Sequence, residues 1–321
     1  MTSSPNAPGL RHLPLPLFAA PMGVGGLGLA WREAGVVLGA PAAVGESLLA
    51  IATALWVGLL ALHGARALRW PEALKGDLAH PIRAAFAGAV TIGLMIVAAA
   101  VAPYAPGAAQ DIWWVAVVGH LAIGVLTVRE LLTAPREAAT LTPPLLIPLV
   151  GNVFAPILGA KLGHVGLSWG LFGIGFLLWA LIQPLIMGRL ATGPALPERL
   201  RPSLAILLAP PAVGCVALVN LTGAFGPAPA MAYGLASFVY VVILGVAPKV
   251  LAGPFAVSWW AWTFPSAAFA VATLLAAHAF ASALWIALGW ITLLASTAIV
   301  ALVAARTIAA AQAGELLRPE G

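Results

Sequence analysis

The sequence predicts an all-α integral membrane protein with ten transmembrane helices, on the basis of its composition, the spacing of its apolar runs and the distribution of its basic residues. Hydrophobic residues make up 62% of the 321 residues and charged residues only 8%, with a mean hydropathy of +1.04. Soluble domains carry roughly 25% charged residues. A chain of this composition is expected to be surrounded mainly by lipid rather than by water.

Apolar runs close to the roughly 20 residues that cross a bilayer as a helix recur along the chain. They predict spans at 14–31, 41–63, 83–102, 112–133, 141–162, 165–188, 202–221, 228–250, 255–278 and 283–306. We therefore expect one transmembrane domain at 14–308, between a short tail at 1–13 and another at 309–321. The single cysteine, Cys215, excludes an intramolecular disulfide.

The basic residues fall almost entirely in alternate connections between the predicted spans. With ten spans, 13 of the 15 lysines and arginines lie on the side of both termini, and only Arg32 and Lys161 lie on the other side. Cytoplasmic loops retain positive charge during insertion, so both termini are predicted to be cytoplasmic, in an inner (plasma) membrane. The basic residues are scattered rather than gathered on one face, which argues against nucleic acid binding despite the net charge of +5.

Helix-breaking residues fall inside the odd-numbered predicted spans and largely outside the even-numbered ones. The prolines predicted to kink odd spans are Pro21, Pro148, Pro210, Pro211 and Pro265, whereas Pro184 is expected near the end of an even span. A broken membrane helix is tolerated where neighbouring helices or a water-lined cavity satisfy its backbone. This pattern predicts five helical hairpins around a central pore, with odd helices inside. The alternative is an ordinary bundle in which glycines serve close packing.

Several motifs carry a family resemblance. These are Phe18 to Arg32 (FAAPMGVGGLGLAWR), His80 to Arg83 (HPIR), Val128 to Leu131 (VREL), the fifth span around Pro148 and Asn152, Leu207 to Pro210 (LLAP) and Trp259 to Pro265 (WWAWTFP). Together they resemble the tellurite-resistance, or TehA-like, family of C4-dicarboxylate and malic acid transport proteins. That family includes the plant guard-cell slow anion channels.

The resemblance implies a homotrimer in which each protomer holds its own pore for small anions such as chloride or nitrate. The alternative activity in the family is secondary transport, with export of C4-dicarboxylate, sulfite or tellurite-type oxyanions. The resemblance also implies that Phe264 gates the pore, and we expect Pro265, Gly23 and Gly26 to support this gate. A membrane phenylalanine more commonly faces lipid or packs between helices, which is the competing interpretation of Phe264.

Polar residues of the odd spans are the expected pore lining, and they are Thr91, Asn152, Asn220, Thr263 and Ser266. Arg83 and Arg201 would make the cytoplasmic mouth electropositive, although both also satisfy the positive-inside rule. No carboxylate is expected on the anion path.

The remaining ionisable residues have structural interpretations. Glu46 is expected to pair with Arg32, and His120 to bond a backbone carbonyl. Asp77 and His80 share the longest loop between predicted spans, where solvation is expected rather than a metal site. Without paired acids, a metal cluster or a nucleophile with its base, neither an enzyme nor a bound cofactor is expected.

Overall fold

The computed structural model describes residues 9–134 and 137–318. Within these ranges the chain is helical and contains no strand. The outer parts of the two predicted tails, 1–8 and 319–321, and Arg136 from the charge count lie outside the described residues.

The chain forms α-helices joined by short connections and by stretches of 3-10 helix. In chain order the α-helices are α1 (Ala19–Leu38), α2 (Ala42–Arg69), α3 (Pro71–Ala79), α4 (Ala87–Val101), α5 (Pro106–Thr133), α6 (Leu146–Val150), α7 (Pro156–Gly159), α8 (Val165–Thr192), α9 (Ala209–Thr222), α10 (Pro227–Val250), α11 (Thr263–Phe280) and α12 (Ala283–Gln312). The 3-10 stretches are Leu10–His12, Leu15–Phe18, Arg83–Phe86, Ala138–Thr140, Pro143–Leu145, Gly151–Val153, Glu198–Leu208 and Val257–Trp262.

Eight of the described helical segments are long and apolar enough to cross a bilayer, which confirms an all-helical, multi-pass membrane protein. A shorter apolar stretch covers Pro143–Gly159. Helix α1 is not among the eight, and its glycines together with Arg32 and Glu33 lower its hydropathy. The predicted count of ten spans therefore stays a prediction.

The candidate spans fall into two classes by burial. Three candidates are largely buried within the protein, with 61%, 78% and 72% of the apolar window buried in Arg83–Val101, Glu198–Thr222 and Val257–Phe280. The other five candidates, which contain α2, α5, α8, α10 and α12, have only 11–33% of that window buried. Many large apolar side chains on these helices are exposed, as expected of helices that face lipid.

Five segments start with a 3-10 stretch and continue as an α-helix, and we call them the inner segments. They are 15–38, 83–101, 143–159, 198–222 and 257–280. In four of them a proline is the third residue of the α-helix, namely Pro21, Pro148, Pro211 and Pro265. The first four N–H groups of an α-helix have no intrahelical acceptor, so a proline there removes no α-helical hydrogen bond. Each of these four prolines thus closely follows a change of winding from 3-10 to α-helix.

The inner segments contact one another in sequence order, and the last contacts the first. Helix α1 packs against α4, α4 against α6, α7 against α9, α9 against α11 and α11 against α1. Each inner segment also packs against the long helix that follows it, from α2 after α1 to α12 after α11. The position of Pro184 differs from the expectation. It was expected near the end of an even span, but it lies inside α8, which continues to Thr192.

Candidate functional site

Two cavities lie one after the other along the inner segments. The first, which we call the apolar cavity, has a volume of about 60 Å³, and the second, the charged cavity, about 340 Å³. A single water needs roughly 10–15 Å³. Residues near the first half of every inner segment line the apolar cavity, for example Ala19, Phe86, Leu146, Ile206 and Ala261.

The charged cavity is lined by the second half of the same segments and by the residues that directly follow them, including Arg32, Pro103, Lys161, Asn220 and Leu275. Because each segment passes from one cavity to the other in the same chain direction, the five segments run parallel. No residue of α2, α5, α8, α10 or α12 lines either cavity.

Three residues line both cavities and therefore separate them: Phe154, Val213 and Phe264. The rings of Phe154 and Phe264 lie with their centroids 5.8 Å apart and their planes tilted by 55°. Phe264 is only 6% exposed, so its side chain points into the protein and not outward to lipid. Two aromatic rings and one valine thus lie between the two cavities.

Glycines on α1 provide the space that this part of α11 occupies. A Cβ atom on Gly26 would lie 3.0 Å from Cδ2 of Phe264, and one on Gly23 would lie 1.9 Å from Oγ1 of Thr263. Pro265 lines the apolar cavity next to Phe264. The close approach of α1 to α11 therefore depends on the missing side chains, and any side chain at position 26 would press on the Phe264 ring.

Of the five polar residues expected to line the pore, Asn220 lines a cavity and the other four do not. Asn220 lines the charged cavity, and its amide nitrogen donates to the carbonyl of Val216 at 2.8 Å. Asn152 is 1% exposed and lines neither cavity.

The hydroxyl-bearing residues of that set lie outside both cavities as well. The hydroxyl of Thr263 donates to the carbonyl of Trp260 at 2.7 Å, and that of Ser266 donates to the carbonyl of Thr263 at 2.9 Å. Both hydroxyls thus bond to backbone carbonyls of the same inner segment.

Thr91 and His120 form a buried pair between α4 and α5. Oγ1 of Thr91 donates to the carbonyl of Gly88 at 3.0 Å and lies 2.7 Å from Nδ1 of His120. The expectation that His120 bonds a backbone carbonyl was wrong, because its Nδ1 lies next to the Thr91 hydroxyl. A Cβ atom on Gly151 would lie 2.5 Å from the His120 ring, so the imidazole fills the space beside the point where α6 ends.

The loop between α2 and α4 is ordered by a buried ion pair. Asp77 on α3 accepts a hydrogen bond from Nη1 of Arg66 at 2.6 Å and lies 3.4 Å from Nη1 of Arg83. The side chains of Arg66 and Asp77 are only 5% and 6% exposed, so the expectation of a solvated Asp77 was wrong. Two arginines surround this carboxylate because α3 folds back onto the ends of its neighbours, which a span count does not reveal.

Both arginines expected at the cytoplasmic mouth have carboxylate partners. Arg83 pairs with Asp77, and Arg201 lies 3.5 Å from Glu198 in an exposed pair. Neither arginine lines the apolar or the charged cavity. Nearby carboxylates therefore offset part of the positive potential of both side chains.

The predicted pairing of Arg32 with Glu46 is confirmed. Nε and Nη2 of Arg32 each donate to one oxygen of Glu46 at 2.7 Å, and Nη1 donates to the carbonyl of Ala99 at 2.8 Å. The hydroxyl of Tyr104 donates to the same carboxylate at 2.9 Å, and this bond raises the pKa of the phenol.

A carboxylate does stand beside the charged cavity, contrary to the sequence-based expectation. Glu33 lines this cavity together with Lys161. The predicted first span ended at 31, whereas α1 continues to Leu38 and so carries Glu33 within the helix.

Two of the residues that lie between the cavities were not identified from the sequence. Phe154 and Val213 are apolar residues within apolar runs, and Phe154 directly follows the 3-10 stretch Gly151–Val153. Among the described residues, no group of three or more His, Cys, Asp or Glu side chains could hold a metal ion. The arrangement is two cavities in line, separated by Phe154, Val213 and Phe264.

Comparisons with known proteins give a family and several distant relatives. A family model described as "SLAC1: Voltage-dependent anion channel" matches residues 12–308. The S-type anion channel SLAH3 of Arabidopsis thaliana is 25% identical over 83% of this chain and 43% of its own length. The tellurite resistance protein TehA homolog of Haemophilus influenzae is 24% identical over 80% of this chain and 79% of its own length.

The guard cell S-type anion channel SLAC1 of Arabidopsis thaliana is 26% identical over 65% of this chain and 38% of its own length. This chain therefore spans less than half the length of the two plant channels and most of the bacterial relative.

Proposed function

Because the chain belongs to the SLAC1 family, described as voltage-dependent anion channels, we propose that it passes small anions across a membrane through a pore within each protomer. In this proposal the two cavities are the two halves of the pore, and Phe264 is its gate. The single observation that carries the proposal is that Phe264 lines both cavities and stands between them.

The proposed architecture has ten spans arranged as five hairpins, with the inner segments around the pore and the long helices outside. Support comes from the parallel course of the inner segments, from the contact of α1 with α11 and from the exposure of the outer helices. Residues 14–308 would then form one transmembrane domain. The excess of basic residues at the apolar-cavity end favours a cytoplasmic location for that end and for both termini, in a plasma membrane. A homotrimer is proposed from the family resemblance.

The gate acts by excluding both water and ions. An anion in the apolar cavity meets only aliphatic and aromatic side chains and backbone, so no side-chain donor replaces its hydration shell there. Hydrophobic constrictions in channels close by dewetting. With Phe264 and Phe154 in contact, an ion would have to shed most of its water before passing. Rotation of the Phe264 ring away from the axis would join the cavities.

Selectivity among small anions would follow from the cost of dehydration and from the donors of the charged cavity. The amide of Asn220 and the ammonium of Lys161 stand at that cavity. Weakly hydrated anions such as nitrate would pass more easily than strongly hydrated ones of the same charge.

The test is Phe264→Ala, recorded as single-channel current in planar bilayers with chloride or nitrate. Removing the ring joins the cavities, and we expect the unitary anion current to increase at least severalfold. The matched control is Phe269→Ala, because Phe269 is a buried ring on the same helix that packs against Tyr240 and Tyr233 and lines neither cavity. Equal currents in the two variants would refute the proposed gate.

The same recording separates a channel from a coupled carrier. A channel gives a current that is nearly linear in voltage and rises with anion concentration over a wide range. A saturating flux that depends on a proton gradient, with no unitary current in Phe264→Ala, would contradict the proposed function.

A further inference from the structure

Three ionisable side chains line the charged cavity, those of Arg32, Glu33 and Lys161, and Arg32 is already paired with a carboxylate. Arg32 uses its guanidinium nitrogens on both oxygens of Glu46 and on the carbonyls of Ala99 and Ala100. Such a bidentate, fully bonded pair contributes little net charge at a distance. The charges that an ion meets in this cavity are therefore those of Glu33 and Lys161.

Glu33 and Lys161 come from different parts of the chain. Glu33 lies on α1, and Lys161 lies two residues after the end of α7. Within residues 9–134 and 137–318, neither side chain forms a hydrogen bond or an ion pair of 4.0 Å or less, and both line the charged cavity. Glu33 thus stands at the cavity without a partner that removes its charge.

We propose that Glu33 makes the pore discriminate between anions by valence, favouring monovalent over divalent anions. The energy of an ion in an electrostatic potential is proportional to its charge, so one fixed carboxylate penalises a dianion twice as much as a monoanion. Lys161 lowers the barrier for both classes, and by the same relation it does so twice as strongly for a dianion, so its effect on valence selectivity is opposite to that of Glu33. This inference rests on the proposed function and adds a specificity-determining residue to it.

The size of the effect follows from Coulomb repulsion between the carboxylate and the anion in water-like surroundings. A carboxylate about 4 Å from the ion changes its occupancy about fivefold for a monoanion and about 25-fold for a dianion, with smaller values at greater distance or higher salt. Replacing Glu33 by glutamine should therefore raise chloride permeability by some factor and sulfate permeability by about the square of that factor. The sulfate-to-chloride permeability ratio then rises by about the same factor as the chloride permeability. This quadratic relation does not depend on the distance assumed.

The experiment compares sulfate and chloride in the Phe264→Ala background, using reversal potentials under bi-ionic conditions at fixed ionic strength. We expect Glu33→Gln to raise the sulfate-to-chloride ratio by up to about fivefold, and Lys161→Gln to lower it. Glu33→Asp keeps the charge and should keep the ratio near that of the parent. Asp111→Asn removes an exposed carboxylate near the start of α5, away from both cavities, and should change nothing.

The outcomes are distinguishable. If Phe264→Ala carries no anion current, the proposed function fails and this inference fails with it. If current flows but Glu33→Gln leaves the ratio unchanged, or changes it no more than Asp111→Asn does, the inference alone is overturned. An equal change in Glu33→Asp and Glu33→Gln would overturn it as well, because the effect would then be one of shape and not of charge.

Discussion

The buried pair of Arg66 and Asp77 gives a sharp prediction about stability. Nη1 of Arg66 lies 2.6 Å from the Asp77 carboxylate, and both side chains are nearly inaccessible to solvent. Asp77→Asn keeps the shape of the side chain but leaves two guanidinium groups, those of Arg66 and Arg83, without their shared counter-charge. Breaking one partner of a buried pair costs about 3–5 kcal/mol, because the remaining charge stays desolvated.

The matched control is an ion pair on the surface. Arg201 and Glu198 lie 3.5 Å apart with side chains 38% and 62% exposed. Exposed pairs of this kind contribute about 1 kcal/mol or less. Glu198→Gln removes the same charge type from a similar arginine, so the two variants differ mainly in burial.

Thermal unfolding of the protein in detergent micelles measures the difference. At roughly 2–4 °C per kcal/mol, Asp77→Asn should lower the apparent Tm by about 6–20 °C and Glu198→Gln by less than about 4 °C. Replacing Arg66 by methionine in the Asp77→Asn chain should recover part of the loss, since no buried cation then lacks its partner. Equal Tm shifts for Asp77→Asn and Glu198→Gln would refute this reasoning.

Two further predictions concern helix packing and titration. Gly88→Ala should destabilise the protein by about 1–3 kcal/mol, because its Cβ would lie 2.9 Å from Cα of Pro148, whereas Gly58→Ala meets nothing within 4 Å and should be neutral or stabilising in the same thermal assay. The phenol of Tyr104 should titrate above its ordinary pKa because its hydroxyl donates to the Glu46 carboxylate. Ultraviolet absorbance titration of Glu46→Gln, with Tyr104→Phe as blank, should show that pKa fall back toward about 10, and an unchanged value would contradict the assignment.

The apolar runs predicted the helical segments well because hydropathy depends on the solvent and not on the partner of each residue. The predicted span 83–102 corresponds to Arg83–Val101, and 228–250 to Pro227–Val250. The pairing of Arg32 with Glu46 could also be predicted, since two opposite charges near one membrane face have few alternative partners.

The site was less predictable because it depends on how one segment meets another. The adjacent charged residues Arg32 and Glu33 indicate the end of a span, so the predicted first span stops at 31 and leaves Glu33 in a connection. The carboxylate at the charged cavity was therefore missed. Phe154 lies near the Pro148 and Asn152 motif, but nothing in the sequence indicates that its ring faces Phe264. The prolines indicated where the inner helices change, but not that the residues before each proline wind as a 3-10 helix.

The 3-10 stretches have a consequence for the length of the inner segments. A 3-10 helix rises about 2.0 Å per residue and an α-helix about 1.5 Å, so the 11 residues of Glu198–Leu208 reach about 22 Å where an α-helix would reach about 16 Å. Hydrocarbon thickness is fixed by the lipid at roughly 30 Å. Fewer residues therefore suffice for the same depth, and a window calibrated on α-helical rise underestimates how far such a segment extends.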